Sequence, residues 1–417
     1  MSLLSSEKNN DMGADGPDQG LSRLKRDTAL LSNHTTLWGN MKKKQSQFFI
    51  VTAPGLEAVC ANEAGALGLD EVLPVAGGVT CNGGLRELYL ANLHLRTATR
   101  IVVRFDEFKA TDFPDLFRKI LRLPWGSFLR PDTAIEIRAS AHRSRIIHTG
   151  RIAETVSAAI EHALGRNHPG EGHTGFTQLI LVRFDEDRCT ISCDSSGELL
   201  HKRGYRSAAG PAPLRETLAA ASLLLLGWDG SISLCDPLCG SGTIVVEGGL
   251  IASQQPPGRH RDFAFMHWPG YRPGLWQALT AGADRKVVRS PSPIYASDYD
   301  ERVLTVAAQN ARQAGVAELI AFSCSDLNSL PVRPGPGLVL CNPPYGIRLE
   351  QGEDLPGLYR NLGDGFRRAF PGWTIAFIAP EEHLALATGL ELHSRARLVN
   401  GGLAVALYTG NIPSSQS

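Results

Sequence analysis

With 417 residues, the chain is long enough for two or three domains with full cores. Its 42 Lys and Arg balance 42 Asp and Glu, which excludes a polyelectrolyte surface and leaves any nucleic-acid binding to local basic patches. No CxxC pair occurs among the eight cysteines, no apolar run approaches a membrane span and no signal-peptide pattern opens the chain. The expectation is a metal-free protein of a reducing compartment, the cytoplasm, with no membrane association.

Residues 1–45 are polar and lack a sustained apolar period, so a disordered extension is expected there. From Phe48 the texture changes. FFIVTA reads as a strand and GLEAVCANEAGALGL as a helix closed by Gly68; short strands follow near 72–75 and 78–81, a helix near 85–93 and a strand at 101–105. This is the pattern of a small α+β module. A second module runs from about Phe108 to Asp194. It opens with the amphipathic helix FPDLFRKILRLPW, halted by Pro124, and the strand TAIEIRAS, and closes with two strands joined by a tight Asp-Glu-Asp turn. Between these lies a stretch with Arg138, His142, Arg143, Arg145, His148 and Arg151 and no acid, leading into the helix RIAETVSAAIEHAL. Such a stretch can contact RNA phosphates at a helix start, although a solvated arginine-rich loop has the same pattern. His201-Lys202-Arg203-Gly204-Tyr205-Arg206 then marks a junction, with Lys202, Arg203 and Arg206 able to clamp a backbone and Tyr205 to stack on a base.

Beyond a helix from about Pro213 to Gly227, the strand at 231–235 leads into Asp236-Pro-Leu-Cys-Gly240-Ser-Gly242-Thr243 and a further helix. A strand, an acid, a Gly-x-Gly turn and a helix make a nucleoside-cofactor cradle. Val245 stands where a dinucleotide fingerprint has its third glycine, and the Gly-Lys-Ser/Thr ending of a phosphate loop is missing. An acid at the strand end disfavours pyrophosphate and suits an ammonium or a ribose, so the cofactor expected is S-adenosylmethionine. The next strand ends at Asp298, the acid expected at the ribose. It lies about sixty residues beyond Asp236, where a tight unit needs ~20, and residues 254–292 read as an insertion that fills the gap. A helix, a strand ending at Asp326 (the adenine end) and the buried strand GLVLC follow.

That last strand delivers Asn342-Pro343-Pro344-Tyr345 to the C-terminal edge of the sheet, where open α/β folds bind ligands. The prolines stiffen the loop, so the Asn342 side-chain oxygen and the Pro343 carbonyl become fixed acceptors for a planar amino group, with Tyr345 a flat face beside them. Asn-Pro-Pro by itself also fits an ordinary turn. The helix LPGLYRNLGDGFRRAF, the strand WTIAFIAP and two closing strands near 396–399 and 403–409 complete an α/β, mostly parallel sheet.

FFIVTAPGLE, HKRGYR, LRETLAAA, DPLCGSGT, ASDYDERV, NARQAGV and NPPYGIRL occur together in one order over roughly 46–410. In this the chain resembles the THUMP-domain guanine-N2 RNA methyltransferases, the bacterial large-subunit ribosomal RNA members in particular. The resemblance implies a ferredoxin-like portion (46–86), a THUMP RNA-binding domain (87–196), a linker (197–212) and a Rossmann-like class I methyltransferase domain (213–417). It further implies that Asp236, Gly240, Gly242 and Thr243 line the methionine part of the cofactor, with Asp298 at the ribose, Asp326 at the adenine and Asn342 also among the cofactor-binding residues. Asn342 and Pro343 would hold the target amine against Tyr345. Ribosomal RNA is the implied partner and transfer RNA the alternative; a non-catalytic RNA-binding assembly factor is the reading from a different class. The chain departs from the pattern in its first 45 residues, which are compatible with a start at Met41, and in Ile347, where an acid is frequent. It also carries one methyltransferase domain where some members have two.

Overall fold

The computed structural model describes residues 45–165, 175–206, 214–288, 292–333, 335–345 and 354–414. Outside them fall residues 1–44 of the expected extension, residues 207–212 of the expected linker, and Ile347.

Apolar alternation sets the first sheet. Strand β1 (Ser46–Thr52) buries Phe48, Ile50 and Thr52 and leaves Phe49 and Val51 half-exposed, the period-two pattern of a strand covered on one face. Around it are β2 (Asp70–Val75), β3 (Gly78–Gly83), β4 (Ala98–Lys109), β5 (Ala134–His142), β6 (Thr177–Asp185) and β7 (Arg188–Asp194), in the order β2-β3-β1-β4-β7-β6-β5. All pairings are antiparallel except β5 with β6. The twelve-residue β4 pairs with β1 on one side and β7 on the other, so the two expected α+β modules share one continuous sheet. Helices α1 (Glu57–Ala66), α2 (Leu85–His94), α3 (Phe113–Leu121) and α4 (Thr149–Ala163) accompany it. Helix α3 starts where expected because the Asp112 side chain accepts the Asp115 N–H and proline occupies its first turn.

The second sheet holds β8 (Ser233–Asp236), β9 (Ile294–Asp298), β10 (Ile320–Cys324), β11 (Gly337–Cys341), β12 (Thr374–Ala379), β13 (His393–Asn400) and β14 (Leu403–Asn411). Its order is β10-β9-β8-β11-β12-β14-β13, parallel throughout except that β14 runs antiparallel to both of its neighbours. This is the mostly parallel, Rossmann-like arrangement expected. Helices α5 (Glu216–Leu225), α6 (Thr243–Ala252), α7 (Pro273–Asp284), α8 (Glu301–Gln313), α9 (Leu355–Ala369) and the short α10 (Glu382–Ala387) complete it. Strand β10 stops two residues short of Asp326, because that side chain turns back to accept the Asn328 N–H and starts a short 3-10 turn. The strand order reverses between β8 and β11, and a crevice opens at such a point in doubly wound sheets.

The insertion expected over 254–292 packs against the first sheet's region. Gly258 N–H donates to Leu93 O, Phe265 N–H to Ser195 O, and the Trp268 indole to the buried Gln178 side chain at 2.7 Å. Phe265 stacks on Tyr89 with ring centroids 4.3 Å apart, Trp268 meets Phe128 edge-on, and α7 lies against α2. The segment is a clasp between the two sheets.

Candidate active site

At the reversal point Asp236 is the last residue of β8 and Asn342 the first after β11. Both line one cavity, together with Leu214, Gly240, Ser241 and Thr243. A wider cleft of about 550 Å³ lies on the first sheet, among Arg104, Arg143, Arg183 and Arg188 and the acids Glu107, Asp185 and Glu186.

Asp236 is only 1 % exposed and its Oδ1 accepts the Leu238 N–H at 3.2 Å. Burial, and then the nearby Asp298 carboxylate, pushes its carboxyl well above the usual range. Among the described residues no cationic side chain pairs with it. Asp298 is also buried: its Oδ2 accepts Gly240 N–H at 2.9 Å and its Oδ1 accepts Asp300 N–H at 3.1 Å, so it holds the glycine turn in place. Asp326 is exposed in the loop after β10 and does not line the cavity.

The two glycines divide their work. Gly240 (φ +52°) faces open space, and a Cβ built on it meets no atom within 4 Å. Gly242 (φ +81°) caps α6 in the left-handed region, where a Cβ would stand 3.0 Å from Ala307 Cβ on α8. Gly242 therefore also seats one helix on another, a packing role the sequence reading did not give it. The Thr243 hydroxyl accepts a hydrogen bond from Arg206 at 2.9 Å, and Asn310 of α8 donates to Ser241 O at 2.9 Å. Sequence reasoning missed Asn310; its place inside NARQAGV was the available signal.

Among the described residues, Asn342 Oδ1 is buried without a hydrogen-bond partner. Pro343 is buried, and its carbonyl accepts no hydrogen bond among the described residues. Tyr345 departs from the expectation of a free stacking face. It is 7 % exposed, packs in the core of the second sheet, and its hydroxyl accepts a hydrogen bond from Asn400 at 3.0 Å. Nothing in the sequence pointed to Asn400, which arrives from β13.

The expected RNA contacts divide as well. Arg138, Arg143, Arg145 and Arg151 are all exposed. Arg138 pairs with Glu136 at 2.7 Å, Arg143 with Glu186 at 3.9 Å and Arg145 with Asp187 at 3.5 Å, while Arg151 lies over the Phe113 ring. The stretch has no acid of its own, but Glu136 and the β6–β7 turn supply them. At the junction Lys202 is exposed and pairs with Glu198. Arg203 and Tyr205 are corrected. Both are buried, with Arg203 3.4 Å from Glu247 of α6 and the Tyr205 hydroxyl donating to the same carboxylate. Arg206 is mostly covered and paired with Glu216 at 3.0 Å.

A carboxylate without a counter-cation, a glycine open to the cavity and an orphaned amide oxygen are the complements of an ammonium, a close backbone approach and an N–H donor. The residues present therefore fit S-adenosylmethionine beside an amine. Among the described residues no cluster of His, Cys, Asp or Glu is arranged to hold a metal ion, and no helix is long and apolar enough to cross a membrane.

Three family models match successive stretches of the chain. A ferredoxin-like domain of the RlmL type matches residues 47–102, a THUMP domain 110–194 and an RMKL-like methyltransferase domain 203–407. A candidate RNA methyltransferase of Synechocystis sp. is 33 % identical over 86 % of this chain and 95 % of its own length. The ribosomal RNA large subunit methyltransferase K/L of Methylococcus capsulatus is 36 % identical over 87 % of this chain, which spans about half (51 %) of that longer protein. A solved candidate methyltransferase complexed with S-adenosylhomocysteine superposes with a TM-score of 0.80 at 29 % identity, covering 90 % of this chain and all of that one. The chain belongs to the RlmKL-like family of THUMP-domain, S-adenosylmethionine-dependent RNA methyltransferases.

Proposed function

We propose that the protein methylates the exocyclic N2 of a guanosine in large-subunit ribosomal RNA, in the cytoplasm. The observation that carries this reading is the buried, unpartnered Asn342 Oδ1 in the same cavity as Asp236. A buried acceptor left unpaired costs about 1–3 kcal/mol, and an incoming N–H donor removes that penalty. The ribosomal target is supported by the name of the Methylococcus relative.

When bound, S-adenosylmethionine supplies an electrophilic methyl group. Asp236 would hold its ammonium, Gly240 and Thr243 would lie along its methionine part, and Asp298 and Asp326 would serve the ribose and adenine ends. The N2 lone pair of guanine is delocalised into the ring, which makes this nitrogen a poor nucleophile. Asn342 Oδ1 and the Pro343 carbonyl would accept its two N–H groups, draw the nitrogen toward a tetrahedral arrangement and leave the lone pair free for attack. Positioning and fixed dipoles carry such a step. No base is needed beforehand, because the proton becomes acidic only after methylation. The target must leave its stack, at about a few kcal/mol and least in single-stranded or partly unfolded RNA.

Asn342→Ala should lower kcat by about 100-fold or more and leave cofactor and RNA affinity nearly intact. Parallel losses of binding and turnover would place Asn342 in binding alone. Mass mapping of methylguanosine in ribosomal and transfer RNA from cells lacking the protein tests the target. A mark lost from transfer RNA, or lost as methyladenosine, replaces the substrate named here, and a cofactor titration without heat favours a non-catalytic assembly factor.

A further inference from the structure

The residues expected to clamp RNA at the junction are mostly internal, so the contact beside the cavity must come from elsewhere. Leu214 is buried in the cavity wall, its carbonyl accepts a hydrogen bond from Arg206, and the next residue is exposed Arg215. Arg203, Arg206 and Lys202 are paired with Glu247, Glu216 and Glu198 respectively. Arg215, among the described residues, has no carboxylate partner and its side chain makes no hydrogen bond. The half-buried His201 sits within this group, pushed down to about 4 by burial first and then by the charges of Arg215, Arg203, Lys202 and Arg206. It is therefore neutral at physiological pH and adds no charge of its own. Among the described residues the acids of this cluster are already matched by cations, and the neighbouring Arg261 is spent on the backbone carbonyls of Glu198, Leu199 and Lys202, so the exposed guanidinium left for an outside partner is that of Arg215.

We propose that Arg215 is a phosphate contact at the rim of the methyl-transfer cavity, gripping the RNA backbone beside the nucleotide whose base enters it. This deepens the RNA-methyl-transfer reading and rests on it. A guanidinium suits the task because it forks onto two phosphate oxygens and stays charged at any physiological pH. A backbone contact fixes register without reading sequence, so the anchor would hold the strand while the base turns inward.

The test uses the full chain with Arg215→Gln and Arg215→Lys. A 5′-labelled oligouridylate reads binding across a salt series, transcribed large-subunit ribosomal RNA reads methyl transfer, and calorimetry reads cofactor affinity. Arg215→Gln should flatten the slope of log affinity against log salt by about 0.7, the loss of one phosphate contact on a single strand. The RNA KM should rise several-fold with kcat little changed and cofactor affinity within about two-fold, while Arg215→Lys keeps most of the slope. An unchanged slope overturns the proposal, and so does a loss of cofactor affinity equal to the loss of RNA affinity. If the wild-type chain binds RNA but methylates none, the broader reading fails while the slope still decides the contact.

Discussion

Asp236 is an acid held where water cannot stabilise its charge. Its ionisation in the folded chain lies above that of an unfolded carboxyl, chiefly through burial and then through Asp298. The protonated form therefore favours the fold. That contribution is complete below the unfolded value, about 4, and is lost as pH rises through the raised folded value. Above the unfolded value the raised ionisation of Asp236 counts against the ligand-free fold, and a bound ammonium would supply the missing counter-charge. Asp236→Asn should consequently raise the ligand-free Tm at pH 8 by about 2 °C or more, on the scale by which about 1 kcal/mol shifts a domain of this size. The gain should vanish below about pH 4, where both carboxyls are protonated. The same variant should lose cofactor binding. Scanning calorimetry at the two pH values checks the sign, and a variant less stable at pH 8 would show that the ionised carboxylate is already compensated in the ligand-free fold.

At the scale of elements, what the sequence made legible follows from what each element buries. GLVLC reads as β11 residue for residue because all five positions are buried, and helices α5 and α8 stop where Gly227 and Gly315 adopt positive φ. The acids at the ends of β8 and β9, and Asn342 after β11, were legible because parallel strands place their C-terminal ends together. Arg203 and Tyr205 were misread for a reason equally physical. A basic run announces charge, while the acid that buries it, Glu247, lies more than forty residues downstream on α6, where nine of ten positions are buried. The β6–β7 acids facing Arg143 and Arg145 were likewise invisible to a reading of adjacent residues. The Arg203–Glu247 pair makes its own prediction. Glu247→Ala should destabilise the protein by about 3–5 kcal/mol, because it strands a buried guanidinium and the Tyr205 hydroxyl. Arg203→Met combined with Glu247→Leu should cost markedly less, since neither charge then remains. Denaturant unfolding of the single and double variants decides it, and equal losses would show the pair to be net stabilising in its own right.

For the molecule as a whole, the question is how a THUMP-bearing sheet and a methyltransferase sheet act on one RNA. The junction is internal rather than loose. Arg96, next to α2, donates to Leu250 O and Gln255 O at the end of α6, and Arg203 donates back to Arg96 O. The 254–292 clasp adds a second attachment through Trp268, whose indole reaches Gln178 on β6 while its ring packs on Phe128. Two separate attachments fix the distance from the basic surface of the first sheet to the cavity between β8 and β11. A fixed distance turns RNA held at one place into a nucleotide presented at another, and a misplacement of about 1 Å costs on the order of 100-fold in rate. Trp268→Ala removes the ring and leaves the Gln178 amide oxygen unpaired, a change that should weaken this attachment by about 3–5 kcal/mol. The expected result is two thermal transitions where the unaltered chain shows one, an unchanged cofactor affinity, and methylation of long RNA reduced far more than binding of it. Trp268→Phe keeps the packing and loses only the hydrogen bond, so its loss of methylation should be the smaller. If Trp268→Ala instead unfolds in one step with RNA methylation intact, the clasp is surface packing and the junction alone sets the geometry.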